Sequence, residues 1–216
     1  VSGIVISFEG IDASGKTTQI TRLEDWLRNH GCDVLVRREP GGTELGESIR
    51  DVLLDPRWRA MHPRTEFLLY SASRAQLVEE DLLPFLQKER GVVLLDRFYD
   101  SSTAYQGAGR GLALDEVEHV NRFATAHLQP HRTFFFDLPL HEARRRKGLQ
   151  SQAADRLETS GDEFYERVRQ GYLDLCQREP QRMVRLDASG TPDEIATTIL
   201  ENVTPLLKKH WPNWRP

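Results

Sequence analysis

The sequence predicts a three-layer α/β/α fold, a five-stranded parallel sheet with helices on both faces, and three observations predict it. Apolar runs of strand length alternate with segments whose apolar residues recur every three or four positions, the pattern of successive βαβ units. One of the runs, Val92-Val93-Leu94-Leu95, shows no polar alternation, as a central parallel strand covered on both faces should, and Thr133-Phe134-Phe135-Phe136 is a further strand of the same kind of length. The third observation is a glycine-rich turn, Gly10-Ile11-Asp12-Ala13-Ser14-Gly15-Lys16-Thr17-Thr18, set between apolar Ile4-Val5-Ile6-Ser7-Phe8 and a helical pattern carrying Ile20, Leu23 and Leu27. Gly10, four residues, then Gly15-Lys16-Thr17 is a phosphate loop: glycines let backbone N–H groups converge on phosphate oxygens, and the helix N-terminus adds a favourable dipole. Lys16 is expected to reach β- and γ-phosphates, and the Thr17 hydroxyl to hold Mg²⁺. The fold class is therefore that of the P-loop NTPases.

Composition narrows the field. A chain of 216 residues, 38% hydrophobic and 29% charged, is long enough for one domain with a full core, and residues 1–216 are read as a single unit. Net charge is −4, so no global basic field attracts nucleic acid, and a nucleotide must be held by a local site. Cys32 and Cys176 stand in neither disulfide nor metal-ligand spacing and read as small buried hydrophobes in a reducing compartment. No apolar run approaches the roughly 18 residues of a membrane span, and the N-terminal residues show no signal-peptide core. A cytoplasmic protein without a membrane partner is expected.

After the first helix, Gly31 is a plausible C-cap and Asp33–Arg38 a second strand. It runs into Arg37-Arg38-Glu39-Pro40-Gly41-Gly42-Thr43, a loop at the carboxyl end of a parallel strand, where ligands bind. Thr43 caps a helix expected to turn Leu45, Ile49, Val52 and Leu53 inward, with Arg50 near its far end. Residues 55–64 read as an irregular connection. From Thr65 a long helix is expected, with Phe67, Tyr70 and Arg74 on one face. A ring and a guanidinium one turn apart can stack on a flat base and bond its edge; the same spacing equally describes a core aromatic beside a surface Arg.

The strand at Val92–Leu95 ends in Asp96-Arg97. An acid closing a buried strand completes a phosphate-loop site by orienting the Mg²⁺ shell, and Arg97 beside it is aimed at phosphate. Ser101 to Gly107 follows, and then Gly109-Arg110-Gly111 gives a mobile connection; polar, amide-bearing and small, the stretch suits close contact with a ligand. Asp115 is placed as the cap of a helix bearing Val117, Val120, Ala124 and Leu128, and Asp137 closes the strand after it. Arg144-Arg145-Arg146-Lys147, before a stretch rich in Gln, Ser and Ala, is either a solvated helix face or a cationic lid over polyphosphate, spanning about 141–158. Asp162 opens a helix with Phe164, Val168, Tyr172 and Leu175 inward. Met183–Asp187 is the fifth strand, and Thr191-Pro192-Asp193-Glu194 a capping box. Trp211 and Trp214 are expected to pack back on the body.

Phe8-Glu9-Gly10-Ile11-Asp12, Arg38-Glu39-Pro40-Gly41-Gly42-Thr43, Ser73-Arg74-Ala75-Gln76, Asp96-Arg97-Phe98, Tyr105-Gln106-Gly107 and Asp155-Arg156-Leu157-Glu158 together resemble the bacterial thymidylate kinases, in family order and over nearly the whole chain. The resemblance implies a nucleoside monophosphate kinase that transfers a phosphoryl group from ATP to dTMP with Mg²⁺, in dTTP synthesis, as a homodimer. It implies that residues Gly10 to Thr18 bind ATP, that Lys16 and Arg97 bridge the phosphates, and that Asp12 lies near the acceptor sugar and the metal. Thr17 and Asp96 are the metal candidates. Glu39, Arg50, Phe67, Tyr70, Arg74, Arg97, Ser102 and Gln106 are assigned to dTMP: Arg50 to its phosphate, Tyr70 to stacking on the base, Arg74 to a thymine carbonyl. The phosphate loop lacks Arg, as in the family members that supply theirs from the lid, so the resemblance implies a catalytic lid arginine, with Arg146 or Arg156 foremost beside Arg144 and Arg145. The segment between Arg146 and Asp155 is longer than the family's short turn, and Ala188 to Gly190 is expected to border the adenine.

Other classes lack their marks. A guanine-nucleotide switch needs Asn-Lys-x-Asp, and no Asn of this chain (29, 121, 202, 213) begins it. A nucleic-acid ATPase needs a basic face. Within kinases, a deoxynucleoside kinase is the runner-up, distinguished by lacking a cation for an existing phosphate, the role given to Arg50.

Overall fold

The structure is a computed structural model that describes residues 2–148 and 161–215. Five parallel strands, β1 (Ile4–Glu9), β2 (Asp33–Arg38), β3 (Gly91–Asp96), β4 (Arg132–Asp137) and β5 (Met183–Asp187), lie in the order β2-β3-β1-β4-β5. The connections carry α1 (Lys16–Asn29), α2 (Glu44–Leu54), α3 (Pro63–Leu77), α4 (Leu83–Phe85), α5 (Tyr99–Ser102), α6 (Leu114–Ala124), α7 (Leu140–Gly148), α8 (Asp162–Arg178) and α9 (Pro192–His210). Every residue of β1 is buried, which requires a strand on each edge and a layer on each face; it lies at the centre of the sheet.

Period-two alternation sorts the strand side chains between the faces. Ile4, Ile6, Phe8, Val92, Leu94, Phe134 and Phe136 meet Ile20, Leu23 and Leu27 of α1 and Ile195, Ile199 and Val203 of α9. On the other face Val5, Val93 and Leu95 meet Leu77, Leu82 and Leu86, while Phe135 meets Phe164, Val168, Tyr172 and Leu175 of α8. The predicted inward residues of α1 and α8 are thus the observed ones. The Thr191–Glu194 capping box forms, and Thr43 Oγ1 accepts from Gly46 N–H at 3.0 Å to cap α2. Trp214 is buried with its ring centroid 5.8 Å from that of Trp26, so the tail packs back on the body. Cys32 is buried and Cys176 half-buried, both as free thiols.

Four expectations need correction. The polar stretch leading into the expected connection at Gly109-Arg110-Gly111 is helical: α5 continues as π-helical turns over Thr103–Gly109, most of it buried, and only Arg110 and Gly111 form a turn. Its glycines mark close packing, since a Cβ on Gly109 would lie 2.7 Å from the Phe164 ring, and one on Gly171 of α8 would lie 2.7 Å from Ala108. In α2, Leu45 and Val52 are 52% and 42% exposed, and the inward positions are Gly46 and Leu53. The helix expected from Thr65 starts two residues earlier with Pro63 in its first turn, and the chain runs on through π-helical turns at Val78–Leu82 into α4. Asp115 does not cap α6; Ala113 holds that position, and Asp115 sits in the first turn, where its charge favours the helix dipole.

Candidate active site

Parallel strands bring the loops after β1, β2 and β3 to one edge of the sheet, and the site is built there. Gly10 leaves β1 at φ +135°, and a Cβ on it would stand 2.7 Å from the Phe136 carbonyl oxygen, so only glycine fits this exit. Gly15, at φ +97°, precedes α1, whose first residue is Lys16. The Lys16 ammonium donates to the carbonyl oxygens of Gly10 at 3.2 Å and Ile11 at 3.1 Å and lies 4.0 Å from Asp96. Burial and then the Arg97 guanidinium push Lys16 down to about 8, against Asp96, Asp12 and Glu9.

Two chambers open here. One, of about 300 Å³, is lined by every residue from Asp12 to Thr18 together with Arg38, Glu39, Arg50, Asp96 and Arg97. The other, of about 100 Å³, has walls from Pro40, Tyr70, Ser102, Tyr105, Gln106 and Tyr165. Asp12, Glu39, Arg50 and Arg97 line both. At the boundary Arg97 Nη2 donates to Asp12 Oδ1 at 2.8 Å, and the Arg97 guanidinium lies 5.3 Å from the centroid of the Tyr105 ring. Arg50 Nη1 donates to the Pro40 carbonyl at 2.9 Å, which ties α2 to the loop after β2. A cleft of about 340 Å³ between α6 and α8 shares no residue with either chamber.

Of the predicted base-binding trio on α3, the structure brings Tyr70 alone to the second chamber. Phe67 is buried, and Arg74 is 1% exposed behind the wall. Arg74 Nε donates to Glu39 Oε2 at 2.8 Å, Nη1 to Asn121 Oδ1 at 2.9 Å, and Nη2 to Ser102 Oγ at 3.0 Å and the Phe98 carbonyl at 3.5 Å. These bonds use four of the guanidinium's five N–H groups. Burial raises Glu39 to about 7 despite Arg74, and its Oε1 has no partner among the described residues. Gln106 Nε2 donates to the buried Glu66 at 2.9 Å.

In the lid region, Arg145 and Arg146 donate to Glu142 at 2.7 and 3.0 Å, Arg144 pairs with Asp162, and Arg146 Nη2 also reaches the Ala188 carbonyl at 3.0 Å. None of the three lines either chamber. Arg156 and the rest of 149–160 lie outside the described residues. Sequence reasoning took Ser101 to Gly107 as suited to ligand contact but gave no role to Ser101 or Tyr105, and it missed Leu54 and Tyr165 as lining residues. A helical reading of 99–109 would have found Ser101 and Tyr105, because they are spaced by four on one face.

A parallel sheet, a phosphate loop over a buried lysine and a second chamber sharing its arginines define a P-loop phosphotransferase for two anionic ligands. The thymidylate kinase family matches residues 8–199 of the chain. A thymidylate kinase of Thermoanaerobacter sp. (strain X514) is 49% identical over 207 residues, covering 96% of this chain and 100% of the relative, and one of Chlorobium chlorochromatii is 45% identical over 217 residues, covering 96% and 97%. The crystal structure of a thymidylate kinase from Ehrlichia chaffeensis superposes with a TM-score of 0.72 at 29% identity, over 93% of this chain and 98% of that one. The chain belongs to the thymidylate kinase family.

Proposed function

We propose that the two chambers divide one reaction, the phosphorylation of dTMP by ATP to give dTDP and ADP. ATP occupies the phosphate-loop chamber and dTMP the chamber walled by Tyr70 and Tyr105, and the γ-phosphoryl group crosses at the Asp12–Arg97 pair. The observation that carries this reading is the sharing of Asp12, Glu39, Arg50 and Arg97 by both chambers. Arg97 and Lys16 then face the phosphoryl group throughout its transfer, and fixed charges of this kind are worth most where water is excluded. Arg50 provides the cation for the existing phosphate of dTMP. Arg74 braces two wall residues, Glu39 and Ser102, so that Ser102 and Gln106 meet the base, and the N–H that its four bonds leave over is the one available to a thymine carbonyl.

Mg²⁺ fits the donor set. Thr17 and Asp96 offer a hydroxyl and a carboxylate to the same chamber, and an ion that keeps most of its water and binds phosphate oxygens needs only one or two protein ligands. When bound, the ion neutralises charge on the β- and γ-phosphates. A homodimer is supported by exposed apolar side chains on three helices packed side by side: Leu45 and Val52 of α2, Leu68 of α3, and Leu114 and Phe123 of α6, the last 82% exposed. No helix of the described residues is long and apolar enough to cross a membrane, and a cytoplasmic location agrees with the two free cysteines.

The test is ADP release with dTMP, thymidine, dUMP or AMP as acceptor. Turnover is expected with dTMP far above the others. Preference for thymidine would instead make the chain a deoxynucleoside kinase, with Arg50 lacking a phosphate to hold. Sedimentation of wild type and Phe123→Glu tests the dimer: a dimer converted towards monomer is expected, and a monomeric wild type would refute it.

A further inference from the structure

Glu9 is the last residue of β1 and fully buried, yet no step assigned above uses it. A carboxylate persists in such a place only when donors surround it, because an unpaired buried charge costs more than a hydrogen bond returns. Three donors do. Oε1 accepts from the Phe98 backbone N–H at 2.7 Å, and Oε2 accepts from the Ser101 hydroxyl at 2.5 Å and the Tyr172 hydroxyl at 2.8 Å.

These donors enclose the turn that carries Arg97. Arg97 stands at φ +72°, a conformation that a non-glycine residue keeps only where its surroundings impose it. Consecutive residues of β1 impose it here: the Arg97 N–H donates to the Phe8 carbonyl at 2.9 Å, and the next N–H, that of Phe98, donates to the Glu9 side chain. Ser101, held by Glu9, also lies 3.4 Å from Arg97 Nη1. The guanidinium at the boundary of the two chambers is therefore aimed from behind by a carboxylate that lines neither.

We propose that Glu9 is a positioning residue for phosphoryl transfer: its carboxylate clamps the left-handed turn and so holds the Arg97 guanidinium where both phosphates meet. The inference rests on the reading of Arg97 given above. Burial and then Asp100 push Glu9 up to about 7, while Ser101, Arg97 and the Phe98 N–H favour its charge. Asp100 is itself paired with Arg182 at 2.6 Å.

The test is a double-mutant cycle on the full chain, with kcat and the KM for dTMP measured for wild type, Glu9→Gln, Arg97→Ala and both together. Glutamine keeps the shape but not the charge. The expected result is a loss in kcat of about tenfold or more for Glu9→Gln with KM for dTMP moved less than about threefold, and less than about a twofold further loss when Glu9→Gln is added to Arg97→Ala. A residue that only supports the fold would lower the thermal midpoint and leave kcat per folded molecule unchanged; that result, or losses that multiply in the double variant, would overturn the proposal. If Glu9→Gln does not fold, Tyr172→Phe removes one donor to the carboxylate, and the same cycle applies to it. Wild type and Arg97→Ala alone test the underlying reading: full kcat in Arg97→Ala would sink both, whereas its loss with an unaffected Glu9→Gln sinks only the role of Glu9.

Discussion

The two chambers are built by opposite means. The phosphate-loop chamber takes seven consecutive residues, Asp12 to Thr18, from one strand-to-helix turn, whereas the chamber beside it draws on the loop after β2 and on α2, α3, the helical stretch 99–109 and α8. Arg38, Glu39, Arg50, Asp96 and Arg97 complete the first chamber, but its phosphate-holding part is one turn whose backbone N–H groups and lysine carry little of the packing, so chemistry there is largely separable from stability. A site assembled from many elements joins the two: residues that shape it, such as Arg74, also hold those elements together.

The sharpest way to break that contrast is Lys16→Ala. Removing one fixed charge from the transferring group should lower kcat by about two to four decades while leaving the thermal midpoint nearly unchanged. Steady-state kinetics with a melting curve checks this, and more than a third of wild-type kcat would remove Lys16 from the chemistry.

Arg74→Ala should do the reverse. It leaves the buried Glu39 carboxylate without its partner, and breaking a buried pair costs about 3–5 kcal/mol, read from urea unfolding. At temperatures where the variant is folded, kcat/KM for dTMP should fall more than that for dCMP, narrowing their ratio by about tenfold, because a donor facing a carbonyl is lost for one base and not for the other. An unchanged ratio would leave Arg74 as a brace alone and give the base to Gln106.

Glu9 sharpens the comparison through pH. Its pKa is about 7 in the folded protein against an ordinary 4.5, so between those values the folded state keeps a proton that the unfolded chain has released, and stability falls as pH rises through the window. Glu9→Gln removes this term. Its stability relative to wild type should therefore improve from about pH 5 to about pH 8, by something on the order of 1–3 kcal/mol. A difference independent of pH would mean that Glu9 does not titrate in that range.

The smallest effect is expected at the cap of α2. Thr43→Ala should cost about 1 kcal/mol and, because α2 carries Arg50, raise the KM for dTMP by a few fold without touching kcat. Equal changes in kcat and KM would mean that α2 takes part in the chemical step.

The same contrast governs how much the sequence discloses. All five strands and the phosphate loop are legible because each is a local pattern: a short, largely apolar stretch bounded by turn signals, or glycines at fixed spacing before Lys16. The helical character of 103–109 is hidden in the sequence because Gly107 admits Leu114 and Gly109 admits Phe164 and Val168 of α8, while Gly111 at φ +76° does turn the chain, and a one-dimensional pattern does not distinguish a glycine that bends from one that admits a neighbour. Leu45 and Val52 have the spacing of an inward face but are exposed, since periodicity gives the apolar side of a helix and not what covers it. Arg74 was found by its position one turn from Tyr70, yet its burial behind Glu39 and Ser102 depends on Asn121, 47 residues away in the chain.

The shared wall has a thermodynamic corollary. Asp12, Glu39, Arg50 and Arg97 face both chambers, so neither ligand can settle without altering the charge and hydrogen bonding that the other meets. Linkage then requires the influence to be mutual: whatever factor ATP applies to the affinity for dTMP, dTMP must apply to the affinity for ATP. With two cations serving phosphates on either side, the order in which the nucleotides arrive is a property of Arg50 and Arg97 rather than of either chamber alone.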